Sequence, residues 1–230
     1  MALITRHQKI QVLDLGARPY QEVWELQRRL QRELIDGSGT EYFLLCEHTP
    51  AVITLGRSAD SSNVLSSRDQ LGRLGIQVLE TERGGDVTWH GPGQIVGYPI
   101  LDLRQRRQDV SWYMRSLETV LIRALKCWGI DAAGLPGKTG VWIDDCRKIA
   151  SLGVRISRWC TMHGFALNVR DCRAGFALIN PCGLHCSCMT SIDTELGRQK
   201  RRLPGLAAVK TEISAEFLQV FEPISEAACG

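Results

Sequence analysis

Residues 140–169 read GVWIDDCRKIASLGVRISRWCTMHGFALNV, and this stretch decides the fold. It contains three apolar segments with the length and composition of strands, Gly140–Ile143, Lys148–Ile156 and Met162–Val169. The links between them are too short to hold a helical crossover. Strands joined by short links run antiparallel, so the stretch predicts an antiparallel portion of a sheet.

The rest of the chain predicts further strands and several helices around this unit. Apolar runs predict strands at Ile10–Leu15, Tyr42–Cys46, Val52–Leu55, Ile76–Leu79, Val87–Trp89 and Ile95–Leu103. Apolar residues that recur every three to four positions predict helices over Pro19–Ile35, over Val110–Trp128 and around Ile213–Phe221. Asp109 is expected to cap the second helix. The fold class is therefore α+β, with a mixed, largely antiparallel sheet flanked by helices.

Composition narrows the classes of function. Of the 230 residues, 44% are hydrophobic and 23% are charged, as in ordinary soluble domains. A net charge of +3 is mild, well short of the dense basic patches that nucleic-acid binding usually needs, so we expect no nucleic-acid partner. Since no apolar run approaches the ~20 residues of a membrane span, and Arg6 and His7 precede any run of signal-peptide length, we expect a cytoplasmic protein without a membrane partner. Its nine cysteines should then be reduced.

The chain shows no internal repeat and no linker rich in proline or serine. We therefore expect one domain over residues 1–230, with residues 205–230 as a loosely packed C-terminal segment.

A glycine-rich segment, RGGDVTWHGPGQ, occupies residues 83–94. Its four glycines let the backbone approach another group closely and present N–H groups to it. The segment lacks the Gly-Lys-Ser/Thr ending of a P-loop, and no helical pattern follows it as in a dinucleotide-binding fingerprint. It predicts either a binding loop of another kind or simply a glycine-rich hairpin.

Lys148 and His163 are polar residues at the start of apolar strands. The charge of a lysine is costly to bury, so Lys148 is either a functional group or a side chain that reaches water from the wet end of its strand. His163 precedes Gly164, which leaves a gap in the strand face. A single histidine in such a place is more often a hydrogen-bonded core residue than a catalyst.

Cys182 lies in a turn between Pro181 and Gly183, where a thiol can be accessible. A free thiol has a pKa of about 8.5, so a nearby cation such as a lysine is needed to make much thiolate at neutral pH. Alternatively, Cys182 is a small buried apolar residue like most cysteines. A zinc site or a redox switch would instead recruit its neighbours His185, Cys186 and Cys188, although finger spacing is not evident.

Together these segments resemble the lipoyl(octanoyl) transferase family. The similarity runs from about Leu45 to Ile192 and also includes His48–Pro50, Thr54–Arg57 and Arg147–Arg155. It implies the fold that biotin and lipoate protein ligases share. It also implies the reaction, in which octanoyl leaves the phosphopantetheine thioester of an acyl carrier protein and is attached to a lysine of a lipoyl domain, the first step of endogenous protein lipoylation.

The resemblance also assigns roles to residues. Cys182 becomes the thiol that carries the acyl group, and Lys148 becomes its catalytic partner. His163 and Asn168 support the site. The implied substrate-binding residues are Arg83, Gly84, Gly85, Asp86, Val87, Thr88, Trp89, His90, Ser151, Leu152, Gly153, Gly164, Phe165 and Ala166.

The implied acceptors are the lipoyl domains of 2-oxoacid dehydrogenase complexes and the H protein of glycine cleavage. Conversion of a thioester into an amide is energetically favourable, so the implied reaction needs no nucleotide. We expect no metal and no other cofactor.

Three alternatives stay open. An ATP-dependent lipoate or biotin ligase on the same fold would need ATP and would tolerate the loss of Cys182. A cysteine hydrolase would pair Cys182 with His163 and would release free octanoate. A non-enzymatic metal-binding module would use Cys182, His185, Cys186 and Cys188, and metal analysis would detect it.

Overall fold

The computed structural model describes residues 10–180 and 188–222. In this part of the chain the strands are β1 (Gln11–Arg18), β2 (Tyr42–His48), β3 (Val52–Leu55), β4 (Gln77–Glu80), β5 (Val87–His90), β6 (Gln94–Ile100), β7 (Ala133–Leu135), β8 (Lys138–Ile143), β9 (Arg147–Ser157) and β10 (Cys160–Asn168). The helices are α1 (Tyr20–Ile35), α2 (Arg68–Arg73), α3 (Val110–Cys127), α4 (Arg173–Phe176), α5 (Ile192–Arg198) and α6 (Leu206–Phe221).

Seven strands form a central sheet in the order β1-β2-β6-β10-β9-β8-β7. Within it β1 and β2 are parallel, and the other neighbouring pairs are antiparallel. The pairing of β9 with β10 extends from Ser157 with Cys160 to Ala150 with Leu167, so the stretch at residues 140–169 forms the predicted antiparallel unit. The predicted fold class is confirmed. A separate small sheet, ordered β4-β3-β5, was not predicted.

A hydrophobic core packs against each face of the central sheet. Since alternate residues of a strand point to opposite faces, one strand contributes to both cores. On one face Phe43 and Leu45 of β2 belong to the core that contains Phe217 of α6, whose ring stacks on Phe43 with centroids 3.9 Å apart. On the other face Leu44 of β2 packs in a second core with Leu30 of α1. Helix α6, within the C-terminal segment, is therefore anchored in the main core.

The ends of the two long helices follow from their sequence. Helix α1 begins after Pro19 and ends before Gly37, whose φ of +78° suits glycine. The side chain of Asp109 accepts a hydrogen bond from the Trp112 N–H and caps α3, as predicted. None of the described helices is both long and apolar enough to cross a membrane.

A buried ion pair joins the start of β2 to the loop before α3. Arg106 donates hydrogen bonds of 2.6 and 2.7 Å to the carboxylate of Glu41, which is 2% exposed. Glu41 also accepts the backbone N–H of Asp102. By contrast, Arg107 pairs with Asp109 at the surface.

We expect Arg106→Met to lower the free energy of unfolding by about 3 kcal/mol, because it leaves a buried carboxylate without its cation. Urea denaturation measures this loss. Arg107→Met is the matched control, with an expected change below about 0.5 kcal/mol. Equal losses in the two variants would contradict the importance of burial here.

Candidate active site

A cavity of about 670 Å³ is lined by residues of β5, β6, β8, β9 and β10, together with residues of α1 and α3. It therefore draws its wall from both sheets. Cavities of this volume are large enough to enclose a small-molecule ligand.

The glycine-rich segment lies against β9 through backbone contacts. The N–H of Gly84 donates to the carbonyl oxygen of Val154 at 2.9 Å. A Cβ at Gly153 would lie 2.9 Å from the Gly84 oxygen, and a Cβ at Gly164 would lie 2.2 Å from the Gly97 oxygen. The missing side chains at Gly153 and Gly164 thus make room for neighbouring backbone, which brings the cavity walls into place.

Arg83 ties this segment to the small sheet. Its guanidinium donates to the carbonyl oxygen of Thr54 at 2.7 Å and to the carbonyl oxygen of Gly84 at 3.2 Å. Arg83 is 7% exposed and lines the cavity. An arginine buried in this way fixes the shape of the wall as well as its charge.

Lys148 lies in the cavity wall and is only 9% exposed. Its Nζ is 5.3 Å from the ring centroid of Trp142, the residue that pairs with it on β8. Gly140, with φ +132°, makes room for this side chain, since a Cβ there would lie 2.5 Å from the Lys148 Cε. The lysine is therefore accommodated inside the fold.

Residues 188–190 run beside Lys148. Met189 forms a parallel bridge with Lys148, and the Thr190 N–H donates to the Lys148 carbonyl oxygen at 2.9 Å. At the end of the first described range, the Asn180 N–H donates to the Asn63 carbonyl oxygen at 2.7 Å. Cys182 lies outside the described residues, as do Pro181, Gly183, His185 and Cys186.

The buried rings of Tyr20, His90, Tyr98 and His163 line the cavity. The ring of His48 packs behind them, in contact with Tyr20, His90 and Tyr98. His48 Nε2 and the Tyr98 hydroxyl share a hydrogen bond of 2.7 Å. Burial lowers the pKa of His48 to about 4 and the pKa values of His90 and His163 to about 3. The three imidazoles are therefore neutral at physiological pH.

His163 sits in an unusual backbone conformation in the middle of β10, with φ +60°. Its backbone N–H donates to the side-chain oxygen of Gln27 at 2.9 Å. Its Nε2 has no hydrogen-bond partner among the described residues and lies 3.9 Å from the carboxylate of Glu82. Glu82 in turn accepts a hydrogen bond from Arg28. The polar edge of His163 is thus held at the cavity wall.

Most of the residues predicted to bind substrate line this one cavity. They are Arg83, Gly84, Gly85, Asp86, Val87, Thr88, His90, Ser151, Leu152, Gly153, Gly164, Phe165 and Ala166, joined by Lys148 and His163. Their roles stay predictions.

Two predicted site residues lie elsewhere in the described part of the chain. Trp89 packs against Phe176, with ring centroids 6.0 Å apart, because alternation along β5 turns it away from the side of Thr88 and His90. Asn168 hydrogen-bonds to Gln94 behind the wall.

Sequence reasoning assigned no site role to several residues that line the cavity. These are Tyr20, Val96, Tyr98, Val110, Met114, Gly137, Lys138, Thr139, Trp142 and Val154. They come from separate elements, so no local motif identifies them. The signal that was available is the alternation of β6, which places Val96 and Tyr98 on one face.

One group of possible metal ligands occurs among the described residues, formed by Cys127, Glu212 and Glu216 on α3 and α6. The Cys127 thiol donates to Glu212 at 2.9 Å. Of the cysteine cluster considered from sequence, Cys188 alone is described, so a site there stays a prediction.

A cavity lined by one buried lysine and two neutral histidines, beside a mixed sheet, is characteristic of an enzyme site. The family model for the lipoyl protein ligase A/B catalytic domain matches residues 19–218. An octanoyltransferase of Christiangramia forsetii is 41% identical, with 94% of this chain and 97% of that protein covered. One of Flavobacterium johnsoniae is 44% identical, with 94% and 98% covered. The chain therefore belongs to the lipoyl(octanoyl) transferase family and is an acyltransferase.

Solved structures share the fold at low sequence identity. The bi-partite lipoate protein ligase of Thermoplasma acidophilum has a TM-score of 0.69 at 14% identity, covering 93% of this chain and 84% of that one. Biotin protein ligase of Aquifex aeolicus has a TM-score of 0.51 at 10% identity, covering 91% and 68%. These likenesses confirm the predicted ligase-like fold.

Proposed function

We propose that this enzyme transfers octanoyl from octanoyl-acyl carrier protein to a specific lysine of a lipoyl domain, through a thioester on Cys182. This is the first step of endogenous protein lipoylation. The observation that carries the proposal is the buried Lys148, which lies in the cavity wall and forms a parallel bridge with Met189, seven residues after Cys182 in the chain.

A cation beside a thiol favours the thiolate, which is the form that attacks a thioester. Lys148 supplies that cation in our proposal, with Cys182 as the nucleophile. Exchange between two thioesters is nearly isoenergetic, and the final amide is more stable than the thioester. The reaction therefore needs no nucleotide and no cofactor.

The cavity suits an acyl chain. Val96, Leu152, Val154 and Phe165 supply apolar surface to its wall. Burying methylenes contributes roughly 0.8 kcal/mol each, which amounts to several kcal/mol for an octanoyl tail. We assign substrate binding to the cavity-lining residues of the glycine-rich segment, of Ser151–Gly153 and of Gly164–Ala166.

Membership in the family supports a proposal for the acceptor. The Thermoplasma acidophilum ligase belongs to a lipoylation system that includes its E2 lipoyl domain. We propose the same kind of acceptor here, the lipoyl domains of 2-oxoacid dehydrogenase complexes and the H protein of glycine cleavage. The reaction would take place in the cytoplasm, within a single catalytic domain.

The test is intact-mass spectrometry of the enzyme after incubation with octanoyl-acyl carrier protein in the absence of ATP. We expect a gain of one octanoyl group, mapped to Cys182 by peptide analysis, and its transfer to an added lipoyl domain. A requirement for ATP and free octanoate would favour the ligase alternative. Release of octanoate into water without an acceptor would favour the hydrolase.

A further inference from the structure

A buried chain of three hydrogen bonds runs from the cavity to the backbone beside Lys148. His90 Nδ1 and the Gln94 Oε1 lie 2.7 Å apart. The Gln94 Nε2 donates to the Asn168 Oδ1 at 2.9 Å, and the Asn168 Nδ2 donates to the Thr190 carbonyl oxygen at 3.0 Å. Gln94 is fully buried, and His90 and Asn168 are 6% and 3% exposed. With so little water access, these groups must satisfy one another.

The last member of the chain sets the direction of all three bonds. A carbonyl oxygen can only accept, so Thr190 requires the NH₂ group of Asn168 to face it. The Asn168 oxygen then faces Gln94 and requires the Gln94 NH₂ group. The Gln94 oxygen is left for His90, whose Nδ1 must carry the proton. In a neutral imidazole the other nitrogen, Nε2, is then an acceptor.

The local sequence brings His90 and Gln94 together. They flank the turn Gly91–Gly93, in which the Gln94 N–H donates to the Gly91 carbonyl oxygen at 3.2 Å. Gly93 has φ +87°, and a Cβ there would lie 2.6 Å from the Cβ of Arg170. The turn links β5 of the small sheet to β6 of the central sheet, so the histidine of one sheet faces the glutamine of the other.

We infer that Gln94 and Asn168 lock His90 in the Nδ1–H tautomer, so that its Nε2 accepts a hydrogen bond from the attacking amine and orients it. This inference deepens the proposed function and rests on it. His90 would then contact the substrate, whereas Gln94 and Asn168 act as positioning residues.

Among the groups of the acyl-transfer step, the attacking amine is the one that can donate a hydrogen bond to the His90 Nε2. The carbonyl and sulfur of a thioester have no proton to donate, so an imidazole that can only accept does not serve them. The amine has N–H groups to offer. In the transfer step a C–N bond forms, the C–S bond to Cys182 breaks, and one amine proton passes to the leaving sulfur, directly or through Lys148. A hydrogen bond from the amine to Nε2 aims the nitrogen lone pair at the acyl carbon.

The surroundings keep His90 neutral. His48 and Tyr20 are in ring contact with it, and Arg83 and His163 act on it electrostatically. Burial, followed by the effect of His48, lowers the pKa of His90 to about 3. His90 is therefore too weak a base to take the amine proton at neutral pH, which leaves orientation as its role.

Two measurements test the inference on the full-length enzyme. The first is NMR of protein labelled with ¹⁵N-histidine, with His90 assigned by its loss in His90→Phe. We expect Nδ1 protonated and Nε2 unprotonated at neutral pH. The second is single-turnover decay of pre-formed acyl-enzyme on addition of a lipoyl domain, in Gln94→Glu and in the control Gln108→Glu at an exposed position.

The introduced carboxylate at position 94 favours the imidazolium form of His90, which cannot accept a hydrogen bond, and so raises the pKa of His90. We expect single-turnover transfer from pre-formed acyl-enzyme in Gln94→Glu to be about tenfold slower than in the wild type at the acidic end of the pH range and to recover as pH rises through the raised pKa of His90, while the control follows the wild type throughout. A protonated Nε2 in the wild type, or transfer at the wild-type rate in Gln94→Glu at every pH, would overturn the inference. Failure of the wild type to form any acyl-enzyme would instead overturn the proposed function, while the NMR result would still decide the tautomer.

Discussion

Cys182→Ala is expected to abolish the octanoyl mass gain and to slow transfer to the lipoyl domain by at least about 10³-fold, because the acyl group loses its covalent carrier. Intact-mass spectrometry reads the first effect. A quantitative assay of octanoylated lipoyl domain, with ATP absent, reads the second. An effect of this size separates the transferase from a ligase, which would activate free acid and would not need this thiol.

The matched control is Cys146→Ala, which removes an exposed thiol two residues from Lys148. We expect its mass gain and its rate to match those of the wild type. A Cys188→Ala variant tests the neighbouring cluster in the same way. If Cys182→Ala kept the mass gain and either control lost it, the nucleophile would have to be reassigned.

The fold was predictable where single elements carry their own signal. The strands within residues 140–169 are apolar and separated by short turns, so their antiparallel pairing follows from chain length alone. The sequence of helix α3 contains both the residue that caps it, Asp109, and apolar residues at helical spacing, so the helix could be predicted from sequence. The split into two sheets was not predictable, because β3, β4 and β5 look no different locally from the strands of the central sheet.

The candidate site shows the same division. The glycine-rich segment and Lys148 lie in contiguous motifs, and both were found from sequence. The partnership of Gln94 with Asn168 spans 74 residues and depends on β6 pairing with β10, which no local pattern reveals. The cluster of Tyr20, His48 and Tyr98 likewise assembles only when α1, β2 and β6 pack together.

Trp89 marks a further limit. Its motif was assigned to the substrate as a whole segment, whereas a strand shows only alternate side chains to any one face. Residues Thr88 and His90 face the cavity, and Trp89 fills the core of the small sheet. Applying the period of two to β5 would have separated Trp89 from Thr88 and His90, although it does not hold for Ser151–Gly153 or Gly164–Ala166, where consecutive residues line the cavity.

Lys148→Met is expected to slow formation of the acyl-enzyme by up to about 30-fold at pH 7, because a thiol without a cation has a pKa of about 8.5 and is only a few per cent thiolate there. The deficit should shrink as pH rises toward 8.5, since the thiolate then forms without help. Methionine fills much of the same space beside Gly140 and Trp142, so folding should survive and thermal unfolding can verify it.

Lys138→Met is the control that distinguishes two effects of losing Lys148, the loss of a positive charge near the thiol and the loss of a contact with Trp142. Lys138 is exposed, yet its Nζ also lies 5.3 Å from the centroid of that ring, so the control removes the same cation–π contact. We expect less than about a threefold change in this control, because such an exposed contact contributes only about 0.5 kcal/mol. The rate of single-turnover acylation, measured from pH 6 to about 9, provides the comparison. A pH-independent loss in Lys148→Met, or an equal loss in Lys138→Met, would show that Lys148 acts by packing and not by stabilising the thiolate.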